Sequence, residues 1–221
     1  MKQHLRLKGY VLGAFLLATG AAQAQFKLQL LHGSDMEAGV DAVKNAPHFA
    51  AILDSLENTF PNTIRLAGGD NYIPSPFLNA STDASIRTPL QAANAAIFGD
   101  AVNTTKLREN YARVDISFMH AMGIEASAIG NHEFDLGTAV FGDAIRVETS
   151  GSGAAAELRW MGTQFPYLSC NLDFSSDLSL NPLYNGKIRP NTDYRTTPAT
   201  AAAATFKNKI APATVVTING E

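Results

Sequence analysis

Three short apolar stretches in this chain each run straight into glycine and then into acidic, amide or imidazole side chains, and no other feature restricts the fold as much. "LQLLHGSDME" ends with His32, Asp35 and Glu37. "TIRLAGGDN" ends with Asp70 behind the Gly68-Gly69 pair. "IEASAIGNHEFD" ends with Asn131, His132, Glu133 and Asp135. A buried strand followed by glycine lets the backbone turn tightly, and the polar residues then gather beyond the strand end. In open α/β sheets that is where a ligand crevice lies.

The segments between these stretches have helical periodicity. From Pro47 onward, Phe49, Ile52, Leu53 and Leu56 fall at i, i+3, i+4 and i+7, the spacing of one helix face. "LQAANAAIF" is a candidate short helix inside a polar, alanine-rich stretch, 79–110. Tyr111 to Met122 predicts a helix with Ile116, Met119 and Met122 on one side, Val114 and Phe118 beside them, and Gly123 as its cap. Strands are predicted over Phe26–His32, Thr63–Asp70, Ile124–Gly130 and Tyr167–Asn171. "ETSGSGAAAELRW" reads as a loop leading into a short helix, and 175–205 as an extended loop. "ATVVTING" closes as a strand entering an Asn-Gly turn, a strong hairpin signal. Strands alternating with helices predict an α/β layered fold with a largely parallel sheet.

Residues 1–24 have the pattern of a secretory signal. Lys2, Arg6 and Lys8 precede an apolar core, Tyr10–Thr19, and Ala22-Gln23-Ala24 is a small-x-small cleavage site. The expected destination is the periplasm or the extracellular space, with no stable membrane insertion, because the apolar core is short of the roughly 18 residues of a span. Three of the 17 basic residues and none of the 20 acidic ones fall in that segment, so 14 basic face 20 acidic residues in the remainder. That balance argues against nucleic acid as a partner. An anionic small molecule stays compatible with it if a metal supplies positive charge. Cys170 is the single cysteine, so the chain has no internal disulfide, and it is expected to be a buried small apolar residue.

The polar clusters predict a metal centre. Asp35, Glu37 and Asp70 offer hard anionic oxygens and Asn131 an amide oxygen. Such a set suits Mg, Mn, Ca or Fe, and Zn if histidines join. A carboxylate such as Asp70 can bridge two ions about 3.5–4 Å apart, which would activate water and clamp a phosphoryl group. Asp135, three positions after His132, can hold the second imidazole nitrogen and favour the protonated ring. Glu133 is expected to stabilise a helix start. Tyr72 and Phe77 are expected to pack, and His32 to be structural. His48 and His120, on predicted helices, receive no role.

These three clusters resemble the N-terminal motifs of the calcineurin-like metallophosphoesterases, and most of all the exported 5′-nucleotidase branch. "GGDNYIPSPF" and "GNHEFDLG" carry the resemblance, and "FPYLSCNLDF" is similar to the next strand and loop. It covers most of 26–174. The resemblance implies a layered fold of sheets flanked by helices and two divalent ions (Mn, Zn, Fe, Mg or Ca). Asp35 would bind the first ion, Asp70 both and Asn131 the second, with His132 and Asp135 as the catalytic pair. The implied reaction is hydrolysis of phosphate monoesters, nucleotides among them. Alternatives are a broad alkaline-type phosphatase or cyclic phosphodiesterase of the same fold, or a non-catalytic metal- and phosphate-binding piece. Two departures stand out. Glu37 occupies a position where the family usually has histidine. It is expected to coordinate, the alternative being a place behind the ligands. No histidine follows His132, whereas the family completes its site with later ones. The expectation is that 25–221 is the N-terminal part of such a domain, incomplete at its C-terminus and inactive alone.

Overall fold

The computed structural model describes residues 26–36, 40–151, 156–195 and 208–220. The signal-like segment 1–24 and Glu37 lie outside the described residues.

Strand β1 (Gln29–Gly33) leads into helix α1 (Val40–Thr59), then β2 (Thr63–Ala67). Helices α2 (Pro76–Ala80), α3 (Arg87–Phe98) and α4 (Arg113–Ala121) precede β3 (Ala126–Ala128). Helix α5 (Thr138–Ile145) follows, then β4 (Glu148–Ser150), β5 (Glu157–Trp160) and β6 (Tyr167–Leu168). The chain ends through β7 (Arg189–Pro190), β8 (Ile210–Ala211) and β9 (Thr214–Val215). The central sheet has the order β1-β2-β3-β6-β8, and every pairing in it is parallel. The expected α/β layered architecture with a mainly parallel sheet and flanking helices is present. Because spatial order follows chain order, the loops at the ends of β1, β2 and β3 lie side by side.

The core forms where the sheet meets the helices. Ala67, Tyr167 and Ile210 from the strands pack with Leu53, Ile116, Met119, Phe141, Ile145 and Trp160, all buried. Trp160 satisfies its indole N–H on the carbonyl of Ala144 at 2.6 Å. Burying large apolar side chains is the main stabilising term, about 1.5–3 kcal/mol for each full burial. Along β1 the side chains alternate, so Leu31 joins the core and Leu30 is 58% exposed.

Several expectations need correction. Helix α1 begins at Val40 and runs through Pro47. Its inward stripe is Ala46, Phe49, Ala50, Leu53 and Glu57, while Ile52 and Leu56 are exposed. The periodicity was right and its phase was off: Phe49, Ala50 and Leu53 pack on the core, and the partly exposed Glu57 pairs with Arg65 at 2.8 Å on the same side of the helix. Phe118 is also exposed. The predicted loop and short helix at 148–160 is instead an antiparallel β4–β5 pair. Arg113, almost wholly buried, ties that pair to α4 through Glu148 and lies over the Trp160 ring at 5.2 Å. The segment from 175 is not an unbroken loop, for it holds 3-10 turns at Asn181–Leu183 and Asn191–Tyr194 and strand β7. Cys170 is exposed, because β6 stops at Leu168 and the thiol falls in the following loop.

Candidate active site

The loop after β1 is hydrogen-bonded to the loop after β2. Gly68 N–H donates to Gly33 O at 2.8 Å, and Asp35 N–H to Gly69 O at 3.2 Å. Asp35 and Asp70 both have left-handed backbone, with φ of 55° and 52°. Asp tolerates that region better than most residues, yet such a conformation costs free energy and is concentrated at functional sites.

The loop after β2 is joined to the loop after β3 through two carboxylates. Asp70 Oδ1 accepts the backbone N–H of His132 at 2.8 Å. Glu133, 1% exposed, reaches back under both loops. Its Oε2 accepts from Asp70 N at 3.0 Å and Gly130 N at 2.7 Å. Its Oε1 accepts from Asn71 N at 2.9 Å and Asn71 Nδ2 at 3.0 Å. Four N–H groups on one buried carboxylate satisfy its charge within the protein. Tyr72 O–H caps the same turn by donating to Glu133 O at 3.2 Å. Burial and the neighbouring Glu133 charge push the Tyr72 phenol far above its ordinary range. Burial does the same to Tyr167, whose hydroxyl lies 3.2 Å from Asn71 Nδ2.

Glycine is required where these loops touch. Gly69 has φ of +96°, and a Cβ there would lie 2.5 Å from Gly130 N. A Cβ on Gly130 would overlap Asp70 Oδ1.

His132 opens a single 3-10 turn, His132–Phe134, directly after Asn131. That turn brings Asp135 round so that its Oδ2 lies 2.6 Å from His132 Nδ1. The contact fixes a proton on Nδ1 and makes Nε2 the nitrogen that can exchange one. Both side chains are about one-third exposed (30% and 31%). Asn131 borders an open cleft of about 470 Å³ at the carboxyl ends of β3, β6 and β8, shared with Phe134, Ser169, Cys170 and Pro212.

The structure therefore brings Asp70, His132 and Asp135 into one bonded unit and places Asp35 on the adjoining loop. Glu37 lies outside the described residues. Among the described residues, no three His, Cys, Asp or Glu side chains converge closely enough to hold a metal ion. The residue that sequence reasoning undervalued is Glu133. Its position just after the histidine was the only available sign, and its role depends on a loop about 60 residues away.

No family model and no solved structure matches the chain. Over 66 residues it is 33% identical to the trifunctional nucleotide phosphoesterase protein YfkN of Bacillus subtilis (strain 168). The match takes in 30% of this chain and 4% of that protein's length.

Proposed function

We propose that this chain is part of a metal-dependent phosphoesterase acting on phosphate monoesters, with nucleotides as the substrate class. The observation that carries the reading is the His132–Asp135 pair at 2.6 Å, tied through His132 N–H to the carboxylate of Asp70. Asp135 orients the imidazole and stabilises its cationic form, so His132 Nε2 is suited to protonate a leaving alkoxide or to steady charge on a phosphoryl oxygen. Asp35, Asp70 and Asn131, with Glu37, are the residues that would hold divalent ions. Three carboxylates and an amide oxygen match hard ions such as Mn²⁺, Mg²⁺ or Ca²⁺ better than Zn²⁺. When bound, such ions supply an acidified water and neutralise phosphate charge. The short likeness to a protein named as a nucleotide phosphoesterase supports the substrate class.

The test is phosphate release from nucleoside monophosphates, cyclic nucleotides and an aryl phosphate by the full-length encoded protein, with divalent ions added or chelated. Turnover should require the ion, and His132→Asn should lower kcat by about 10²–10⁴-fold, the usual worth of a general acid. Turnover untouched by chelation would overturn the metal reading. The absence of a three-ligand cluster among the described residues favours a second reading, a non-catalytic phosphate binder. That reading wins if phosphate binds and no ester is hydrolysed.

A further inference from the structure

A second cavity, of about 330 Å³, lies between α1 and α4 beneath the loops that follow β1 and β2. Among the described residues it shares none of its lining with the cleft beside Asn131. The volume is at the lower end of what small-molecule sites occupy, and apolar walls with a few polar groups are their usual composition. The walls are Phe49 and Phe118, with Met36, Met119 and Met122. Methionine packs well on aromatic rings, and its unbranched chain adapts to the shape of what it covers. Met119 and Met122 are buried and Phe118 is 36% exposed, so the cavity has a buried floor and a wall that reaches solvent.

The polar groups around it are of mixed character. Ser34 and Asn45, both exposed, can each donate and accept a hydrogen bond, and Asp115 can accept. Among the described residues no lysine, arginine or histidine lines the cavity. An anionic group inside would lose its hydration and meet a carboxylate with no cation to offset it. A sugar, polar on all sides, would leave the apolar walls without a partner. The occupant that matches is flat and uncharged, with apolar faces and an edge bearing both donors and acceptors. A purine or pyrimidine base has that form. The position of the cavity ties it to the candidate site. Ser34 and Met36 stand on either side of Asp35, and Asn71, which also borders the cavity, directly follows Asp70.

We propose that this cavity takes the base of a nucleoside, its faces against Phe49, Phe118 and the methionines and its edge toward Ser34, Asn45 and Asp115. The choice of a nucleobase among flat heteroaromatic rings rests on the phosphoesterase reading, in which nucleotides are the substrates.

The experiment is an NMR titration of the full-length encoded protein, with chelator present, using adenosine and, in parallel, ribose 5-phosphate. Methionine methyl signals are followed at Met36, Met119 and Met122. Adenosine should bind with a Kd of about 1 mM or below and shift these methyls by its ring current, and ribose 5-phosphate should leave them in place. Phe118→Ala, at a partly exposed position, should keep the fold and weaken adenosine binding by about fivefold, the worth of an aromatic stacking contact. Ala46→Trp, which fills the cavity from α1, should abolish the methyl shifts while the thermal transition persists. No adenosine binding up to about 10 mM, shifts at other residues only, the same response to ribose 5-phosphate, or affinity unchanged in both variants would each overturn the proposal. Phosphate release, measured separately, keeps the two readings apart. Nucleotide hydrolysis with no adenosine response at these methyls would defeat the cavity proposal alone. Adenosine bound here by a chain that hydrolyses no ester would uphold it and defeat the phosphoesterase reading.

Discussion

Replacing Glu133 by glutamine keeps the shape of the side chain and exchanges one acceptor oxygen for a donor NH₂. In the native fold each carboxylate oxygen serves two N–H groups, Asn71 N and Nδ2 on one side, Asp70 N and Gly130 N on the other. Whichever way the new amide turns, two N–H donors will face a donor. Asn71 is the more deeply buried partner, while Asp70 and Gly130 are half-buried, so the NH₂ should turn toward Asp70 and Gly130, where water can reach. Two hydrogen bonds to a charged group are then lost, each worth about 1.5–3 kcal/mol, and the remaining two are weakened by loss of the charge. The expected cost is about 4 kcal/mol, a large part of the stability of an ordinary domain. In urea that should lower the midpoint by about 2 M. Hydrogen exchange gives the local readout: Asp70 and Gly130 amides should lose more protection than Ile116 in the core. A midpoint shift below about 0.5 M, or a loss of protection spread evenly over the chain, would refute the argument that Glu133 clamps these two loops.

Gly130→Ala should cost about 3 kcal/mol and break the His132 N–H bond to Asp70, because the added methyl overlaps Asp70 Oδ1; a chemical-denaturation curve and the His132 amide exchange rate check it. Lys209 is fully buried and donates from Nζ to the carbonyls of Thr163 and Tyr194, both at 2.7 Å, and burial pulls its pKa down to about 7. The folded chain then releases a proton near pH 7 that the unfolded chain keeps to about 10.4, so stability should rise with pH across that window. Lys209→Met should remove the rise, measured as urea midpoints between pH 7 and 10. His120, buried among Phe98, Trp160 and Phe165 and accepting from Gln164 N at 3.1 Å, is held down to about 3 by burial and by Lys209. Below about pH 6.5 the unfolded chain takes up a proton that the fold refuses until about pH 3, so this residue contributes a loss of stability as pH falls through that range. His120→Phe should flatten that part of the acid-unfolding profile.

The amino-acid sequence was sufficient for the layer type and for the order of the loops at the site. Apolar stretches ending in glycine and then in Asp35, Asp70 or Asn131-His132 mark strand ends, and helical spacing between them demands parallel crossovers. The His132–Asp135 contact was legible too, since three positions in a tight turn bring two side chains together. Local pattern carried less information wherever an element's face or partner is set by something distant. Ile52 and Leu56 were assigned inward by spacing, yet α1 packs through Phe49, Ala50 and Leu53, a stripe rotated from the predicted one. The β4–β5 pair has too little apolar alternation to announce itself, and cross-strand pairing and the Arg113 contact hold it. Only the tertiary structure could show that Glu133 gathers four N–H groups from two loops, or that Lys209 is buried between two carbonyls. Each of those depends on hydrogen-bond partners distant in the chain, and residue type alone does not specify which partner a buried polar group will meet.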